Sequence, residues 1–206
     1  MGGGSSHDFA KWFNQADTAT LSEGGKASVN YTERPADVAP ALKEIDVLYL
    51  SANKPLDAPG LHQAIFDFAD AGKGLLLVHP ALWYNWKDWP EYNKQLVAGG
   101  ARAHDKYGEF EVTVDDASHP IMAGVPATFR ITDELYHWNK ELDGADIQVL
   151  ATGKNLATGK TYPVVYLTKH PKSRVVCITL GHDGKAHELP AFQKLLQNAL
   201  AWAAEK

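Results

Sequence analysis

The stretch "GKGLLLVHPALWY", residues 72–84, decides the predicted fold. Four consecutive apolar residues, Leu75 to Val78, are typical of a strand that is buried on both faces of a parallel sheet. The segment before it, residues 59–72, begins with proline and ends with glycine, which predicts a helix. The buried strand then ends on His79, an ionisable side chain at the carboxyl end of a core strand.

The remaining patterns predict an α/β fold. In the first half, strand patterns at 26–33 and 46–51 flank a short helical pattern at 38–45, which predicts a parallel sheet with helices on both faces. The second half contains five further strand patterns with few helices between them, which indicates added antiparallel strands: 109–114, 128–135, 147–152, 162–170 and 174–181. Apolar residues repeat at 192, 195, 196, 199, 200 and 203, which predicts a closing amphipathic helix. We expect a single domain over residues 1–206.

The start of the chain departs from this pattern. A glycine turn of the kind in "MGGGSSHDF" normally follows the first, central strand of a doubly wound fold, and here no strand pattern precedes it. We therefore expect the first strand to be missing and interpret the start as truncated. The compartment stays open: we expect a cytoplasmic protein as sequenced, and a periplasmic or secreted one if a native N-terminus is missing. An exposed sheet centre would favour pairing with a second copy, so a homodimer remains open.

Composition excludes several functional classes. The formal charge is −5, with 20 basic and 25 acidic residues, which argues against nucleic-acid and anionic-membrane partners. The lone Cys177 excludes an internal disulfide and any CxxC metal site. No nucleotide cofactor is expected. Nine histidines and six tryptophans favour a polar, aromatic cleft.

Several histidines follow predicted strands or lie in loops that should converge at the carboxyl edge of the sheet. His79 and His182 each follow an apolar strand, and His104 lies in a loop. Neutral imidazoles from separate segments are natural ligands of Zn²⁺ or a similar divalent ion, and nearby carboxylates can act as ligands or bases. The accompanying carboxylates and phenol are Glu134, Asp183 and Tyr136.

The other candidate residues would bind substrate. The loop "GGGSSHD" offers backbone N–H groups and hydroxyls for sugar hydroxyls or an oxyanion, and the aromatics after His79 offer a stacking wall. The residues concerned are Gly3, Gly4, Ser5, Ser6, His7, Trp83, Trp86 and Tyr136.

Each of these features also has a purely structural interpretation. The glycine loop is also explained as a tight turn, His79 as a hydrogen-bonded core histidine, and the aromatics of 83–89 as core or lid packing. His119 is expected to order a turn with Pro120. Three further histidines are expected at the surface: His62, His170 and His187.

The motifs resemble the ThuA-like (trehalose utilisation) family of the class I glutamine amidotransferase-like superfamily. The matching stretches occur in family order over nearly the whole chain: "GGGSSHDF", "YTE", "GLLLVHPA", "VAGGARAHDKYGEF", "HPIMAGVPATFRITDELYHW", "VLATG", "YPVVY" and "RVVCITLGHD…PAFQKLLQNALAWA". The resemblance implies a flavodoxin-like sandwich with a mostly parallel central sheet.

The resemblance also implies what the chain does not do. In related amidotransferases the turn after the corresponding strand carries a nucleophilic cysteine, and that position here is His79, while a later histidine matches His182. Cys177 lies within a strand pattern and is expected in the core. Glutamine hydrolysis through a thioester is therefore not expected.

Three functions remain open at this point. The family resemblance implies carbohydrate metabolism, and the first hypothesis is a hydrolase or lyase acting on disaccharides or their 3-keto derivatives. Catalysis would rest on His79, His182, Glu134 and Asp183, with a metal such as zinc held by His79, His104 and His182. The second hypothesis is a non-catalytic carbohydrate-binding or interaction domain. A cysteine-independent amidase or esterase is the third, although the chain contains no G-x-S-x-G motif.

Overall fold

The computed structural model of the protein describes residues 1–205. The strands, in chain order, are β1 (Gly2–Gly3), β2 (Val47–Ala52), β3 (Gly74–Val78), β4 (Gly99–His104), β5 (Gly108–Val114), β6 (Thr128–Asp133), β7 (Tyr136–Lys140), β8 (Ile147–Lys154), β9 (Thr161–Lys169) and β10 (Arg174–Ile178). Within these residues eight strands form one sheet in the order β1-β2-β3-β10-β9-β8-β5-β6, and β4 pairs with β7 separately.

The helices lie mostly in the first half and at the end of the chain. They are α1 (Asp17–Ser22), α2 (Pro35–Ala41), α3 (Leu61–Asp70), α4 (Gly184–His187) and α5 (Pro190–Ala204). A π-helical segment, Phe9–Ala16, leads directly into α1. The helices predicted over 59–72 and at the end of the chain are confirmed as α3 and α5. Among residues 1–205, none of the helices combines the length and apolarity that a bilayer crossing requires.

Strand β3 lies at the centre of the parallel part of the sheet. It pairs in parallel with β2 on one side and with β10 on the other. Leu75 and Leu77 point into the core cluster that includes α2 and α3, whereas Leu76 and Val78 point into the cluster that includes α5. Burial on both faces explains why this strand is apolar without alternation.

The second half of the sheet is antiparallel, as the sequence predicts. Strand β9 pairs antiparallel with β10, and β8, β5 and β6 follow with antiparallel pairing at each step. The fold is thus a mixed α/β sheet whose parallel part carries the helices and whose antiparallel part extends it.

A two-residue strand, β1, begins the sheet, although the sequence pattern predicts that the first strand is missing. In β1, Gly2 pairs with Ser51 and Gly3 with Ala52 of β2. The ammonium group of Met1 donates to the carbonyl of Tyr49 at 2.8 Å. A short first strand at the edge of the sheet therefore places the glycine loop at the carboxyl edge of the parallel strands.

One local prediction is wrong, and one pair of strands was not predicted. Residues 26–33, predicted as a strand, form no strand, because β1 is too short to pair with them along their length; a single backbone bond joins Gly2 N–H to Thr32 O at 3.0 Å. The pair β4 and β7 is absent from the prediction, since Gly99, Gly100 and the polar residues after them do not alternate like a half-buried strand.

Candidate functional site

A cluster of three histidines and one glutamate lies at the carboxyl edge of the parallel strands. His7 follows β1, His79 follows β3, and His182 follows β10, while Glu134 follows β6. One potential ligand atom from each of the four residues lies within 4.8 Å of the others. We call this set the histidine cluster. Its position is the one at which parallel α/β sheets bind ligands.

Glu134 lies between the imidazoles. One of its carboxylate oxygens, Oε2, is 3.2 Å from His182 Nδ1 and 3.7 Å from His79 Nε2. The ring centroids of His7 and His79 are 5.0 Å apart, and those of His7 and His182 are 4.8 Å apart. His79 is fully buried and the other three residues are partly buried, so the cluster is partly open to solvent.

Backbone carbonyls fix the orientation of two of the rings. His79 Nδ1 lies 2.7 Å from Thr179 O, and His7 Nδ1 lies 3.3 Å from Ser5 O. Because a carbonyl oxygen only accepts hydrogen bonds, Nδ1 donates in both rings and Nε2 carries the lone pair. His7 Nε2 is buried and has no hydrogen-bond partner within residues 1–205. Such an arrangement of carbonyl, imidazole and free nitrogen is typical of metal-binding histidines.

The surroundings of the four groups shift their pKa values in different directions. Burial, reinforced by the neighbouring histidines, lowers the pKa of His79 well below its usual value and that of His7 to about 4. The adjacent Glu134 carboxylate raises the pKa of His182. Burial acts to raise the pKa of Glu134, but the proximity of His182 lowers it overall. His7 and His79 are thus neutral at pH 7, while Glu134 is ionised.

His79 occupies a strained backbone position. Its φ is +41°, in the left-handed region that costs a non-glycine residue about 1–3 kcal/mol. The sharp turn that follows β3 aims the imidazole back over Thr179 and toward Glu134.

The buried carboxylate of Asp133 holds the two loops of the cluster together. It accepts backbone N–H bonds from Gly181 at 2.7 Å, His182 at 3.1 Å and Glu134 at 2.7 Å. Burial raises the pKa of Asp133 to about 6. Because Asp133 lies at the end of β6, it ties the antiparallel half of the sheet to the loop that carries His182.

A second pair of ionisable groups lies behind that loop. His187 Nδ1 is 2.6 Å from Asp17 Oδ1, and His187 Nε2 is 3.0 Å from Gly181 O. Both neighbours accept, so both ring nitrogens donate and the ring is an imidazolium paired with the Asp17 carboxylate. Burial acts to lower the pKa of His187, but Asp17 and Gly181 O raise it overall. We call His187 and Asp17 the rear pair. The expectation that His187 is a surface residue is wrong, because it is 1 % exposed.

His104 and two aromatic residues, Trp83 and Tyr136, form the rim of the histidine cluster. His104 Nε2 lies 3.6 Å from Glu134 Oε1, and its Nδ1 donates to Asp105 O at 2.7 Å. The Tyr136 hydroxyl lies 3.2 Å from His79 Nε2, and the Trp83 ring contacts both Tyr136 and His104. His104, predicted with His79 and His182 as a ligand, thus lies beside Glu134, whereas His7 lies within the cluster.

Only some of the other predicted site residues lie near the histidine cluster. Ser5 lies next to it, and its backbone pairs with the side chain of Asn53 through bonds of 3.0 and 2.9 Å. Asp183 accepts a 2.7 Å bond from the Tyr107 hydroxyl and caps α4. Trp86 is 4 % exposed and packs on Trp89, so the structure does not place its ring beside the histidine cluster.

The other loop residues and His119 match simple structural roles. Gly3 and Gly4 have φ of +105° and +144°, and Ser6 has φ of +74°, so this loop is a strained turn that carries His7 into the cluster. His119 Nδ1 accepts the N–H of Ile121, which confirms its turn-ordering role.

The lone thiol takes no part in the site. Cys177 is fully buried in β10, with Sγ 3.7 Å from both Leu96 O and Thr168 Oγ1. Burial raises the pKa of this thiol to about 12. The prediction that Cys177 belongs to the core is confirmed.

Sequence reasoning missed His187 and Asp17 as contributors to the site, and it missed the role of Asp133 in joining the two loops. His187 comes five residues after His182, and this spacing with an intervening "DG" is compatible with a short helix that turns back beneath the loop. No local signal links Asp17 to it, because their contact joins residues 170 positions apart.

Comparisons with known proteins agree with this architecture. The profile of the family described as "ThuA: Trehalose utilisation" matches residues 5–203. A comparison with curated protein sequences gives no match. Among solved structures, a protein described as ThuA-like from Parabacteroides merdae has a TM-score of 0.86 at 19 % identity, with 98 % of this chain and 88 % of that chain covered.

Two further structures define the breadth of the fold. A ThuA-like protein from Bacteroides uniformis has a TM-score of 0.80 at 21 % identity, covering 98 % of this chain and 88 % of that one. The glutaminase domain of CTPS from Trypanosoma brucei has a TM-score of 0.59 at 12 % identity, covering 100 % and 92 %. The fold is therefore the one that ThuA-like proteins share with glutamine amidotransferase-like domains.

Proposed function

This chain belongs to the ThuA, trehalose-utilisation family, and from that premise we propose that it is an enzyme that cleaves 3-keto glycosides at a divalent metal bound by the histidine cluster. The observation that carries the proposal is the convergence of three imidazoles and one carboxylate within 4.8 Å. Substrate binding at the same edge would use the rim formed by His104, Trp83 and Tyr136.

The donor set suits zinc. Three nitrogen atoms and one carboxylate oxygen are ligand types that Zn²⁺ favours, and a catalytic ion would in addition need an open position for a substrate oxygen. His7 Nε2 is a buried lone pair without a partner within residues 1–205, and His79 Nε2 is shared only with the Tyr136 hydroxyl at 3.2 Å. When bound, such an ion would supply Lewis-acid stabilisation of negative charge on a substrate oxygen.

The chemistry follows from the acidity that a ketone at C3 gives to the hydrogen on C2. In the proposed elimination, His104 Nε2 removes the C2 proton, and negative charge develops on the C3 oxygen. The C1–O bond then breaks, a C1=C2 double bond forms, and the imidazolium returns the proton to the departing glycosidic oxygen. The same atom, His104 Nε2, takes up the proton and returns it, because His104 Nδ1 stays bonded to Asp105 O throughout.

Metal content and turnover test this proposal together. We expect stoichiometric zinc in untagged protein by mass spectrometry and its loss in His79→Ala and His182→Ala, with turnover of a 3-keto-glucoside falling on the order of 100-fold or more. His119→Ala, outside the cluster, is the matched control and should keep both metal and activity. Metal-free wild-type protein with undiminished turnover in the two cluster variants would overturn the proposal.

A metal-free carbohydrate-binding domain is the second candidate function. The observation that favours it is that the cluster is partly satisfied by its own contacts, with His182 beside Glu134 at 3.2 Å and Tyr136 on His79. This candidate predicts saccharide binding that chelators leave unchanged and no turnover of any keto sugar.

A further inference from the structure

We propose that the rear pair sets the separation of His7 and His182 in the histidine cluster. Both members of the pair are therefore positioning residues of the proposed metal site as well as supports of the fold. The inference rests on the proposed function, because two of the three imidazoles proposed to bind the metal would be placed by this pair. A purely structural ion pair would have no such effect on metal affinity.

The N-terminal segment carries one member of each group. His7 lies two residues before the π-helical segment Phe9–Ala16, and Asp17 directly follows that segment as the first residue of α1. Helical turns of the π type are rare and occur frequently at functional sites. His7 contributes to the cluster and Asp17 to the rear pair, so one short segment joins the two groups.

The loop after β10 carries another member of each group. His182 precedes α4, and His187 is the last residue of α4, so a single helical turn separates them. In the rear pair, Asp17 Oδ1 lies 2.6 Å from His187 Nδ1. This contact therefore fastens the segment that carries His7 to the loop that carries His182.

Aromatic rings fill the space between the rear pair and the cluster. The ring of Phe13 meets the His187 ring edge to face, with centroids 4.8 Å apart, and it meets the His7 ring at 5.9 Å. Trp12, one residue earlier, stacks on His187 and lies against Gly184. Because closely packed side chains transmit displacements, a shift of His187 reaches His7 through the single ring of Phe13.

Gly181 makes the turn that directs His182 into the cluster. Its φ is +119°, in the region that favours glycine. Ionisable residues hold this turn at both ends: the carbonyl accepts from His187 Nε2 at 3.0 Å, and the N–H donates to Asp133 Oδ2 at 2.7 Å. The bond to the carbonyl requires an imidazolium, because the other ring nitrogen of His187 already donates to Asp17.

Removing the charge of Asp17 should therefore loosen both elements. In Asp17→Asn the side chain keeps its shape, but the buried ring at position 187 loses the anion that balances its charge. A neutral imidazole has one N–H and cannot donate both to residue 17 and to Gly181 O. Either the segment of His7 or the turn before His182 then loses its bond. Misplaced metal ligands of this kind cost about 10- to 100-fold in metal affinity.

NMR of the metal-free protein tests the positioning role without metal or turnover. The ring centroids of His7 and His182 are 4.8 Å apart, so wild type should give a nuclear Overhauser cross-peak between their ring protons. We expect that cross-peak to be lost in Asp17→Asn. Leu195→Ala, at a buried position of α5, is the control for lost stability and should keep the cross-peak.

Zinc affinity, measured by competition with a chelator, is the second readout. It should fall about 10- to 100-fold in Asp17→Asn and stay within about twofold of the wild-type value in Leu195→Ala. Melting curves establish that the variants fold. If Asp17→Asn does not, the double variant Asp17→Leu/His187→Leu replaces it with the same expectations, because it also lacks the contact and leaves no buried charge unpaired.

An unchanged cross-peak in the rear-pair variants, or an equal loss of the cross-peak in Leu195→Ala, overturns the proposal. Unchanged zinc affinity in the rear-pair variants of a zinc-binding protein overturns it as well. Wild-type protein that binds no zinc would instead remove the proposed metal chemistry, and the cross-peak would still decide whether the rear pair sets the separation of His7 and His182.

Discussion

The histidine cluster and the rear pair both contact the loop of Gly181 and His182, and they differ in how their imidazole nitrogens are used. In the rear pair, both nitrogens of His187 donate to acceptors, and the charge of the ring is balanced by Asp17. In the histidine cluster, by contrast, His7 Nε2 has no partner within residues 1–205. A saturated histidine can only hold structure, whereas an unsaturated one retains a lone pair for a ligand or a proton. The two groups share a loop and divide these tasks.

Among the variants that distinguish the two groups, those that break the rear pair should have the largest effect, which is on the free energy of unfolding. His187→Leu leaves the Asp17 carboxylate buried without its cation, and the free energy of unfolding should fall by about 3–5 kcal/mol in denaturant titrations. The double variant Asp17→Leu/His187→Leu removes both charges. Its free energy of unfolding should therefore fall by less than that of His187→Leu alone.

A surface pair supplies the control for this measurement. Arg130 and Glu109, 2.8 Å apart and more than half exposed, should contribute less than about 1 kcal/mol when either is replaced. If His187→Leu changed stability no more than Arg130→Ala, the rear pair would not be the structural support described above.

An intermediate effect is expected at Glu134, and on a different property. Glu134→Gln keeps the shape of the side chain but removes the charge that lies between His182 and His79, so zinc affinity measured by competition with a chelator should fall on the order of 10- to 100-fold. Unfolding free energy should change little, since the group is partly solvated. Glu109→Gln, on β5, should alter neither quantity, and an unchanged zinc affinity in Glu134→Gln would place the metal elsewhere.

The smallest effect concerns pH. The folded-state pKa of His187 is raised above its unfolded value of about 6.5, so its stabilising contribution is complete below that pH and is lost as the pH rises through the folded-state value. The stability difference between wild type and His187→Leu should therefore narrow as the pH rises above about 6.5. Burial raises the pKa of Asp133, which also faces this region, to about 6, below the range in which this difference narrows. A difference that widens with pH would contradict an imidazolium at position 187.

The sequence predicted the elements whose patterns are locally complete. Strand β3 is apolar without interruption, and α3 is bounded by Pro59 and Gly72, so both were found close to their observed bounds. Strand β4 was missed because pairing of "GGARAH" with β7 depends on residues nearly 40 positions away, and nothing in its own pattern indicates it.

The site was predicted in part for the same physical reason. His79 and His182 follow apolar strands directly, which sheet topology brings together, and Glu134 was included with them. The sequence spacing could not show that His7 lies within the cluster and His104 beside it. Their positions depend on which way each loop turns after its strand. The burial of His187 depends on Asp17, and a contact over 170 residues leaves no periodic signal.

The backbone conformation of His79 has a consequence for which substitutions this position tolerates. A φ of +41° is comfortable for glycine and tolerable for asparagine, but strained for an imidazole-bearing residue. Random substitution toward glycine at this position relieves backbone strain at the same moment as it removes the ring that bridges Thr179 and Glu134. Stability of the fold and the chemistry of the ring therefore oppose each other at position 79.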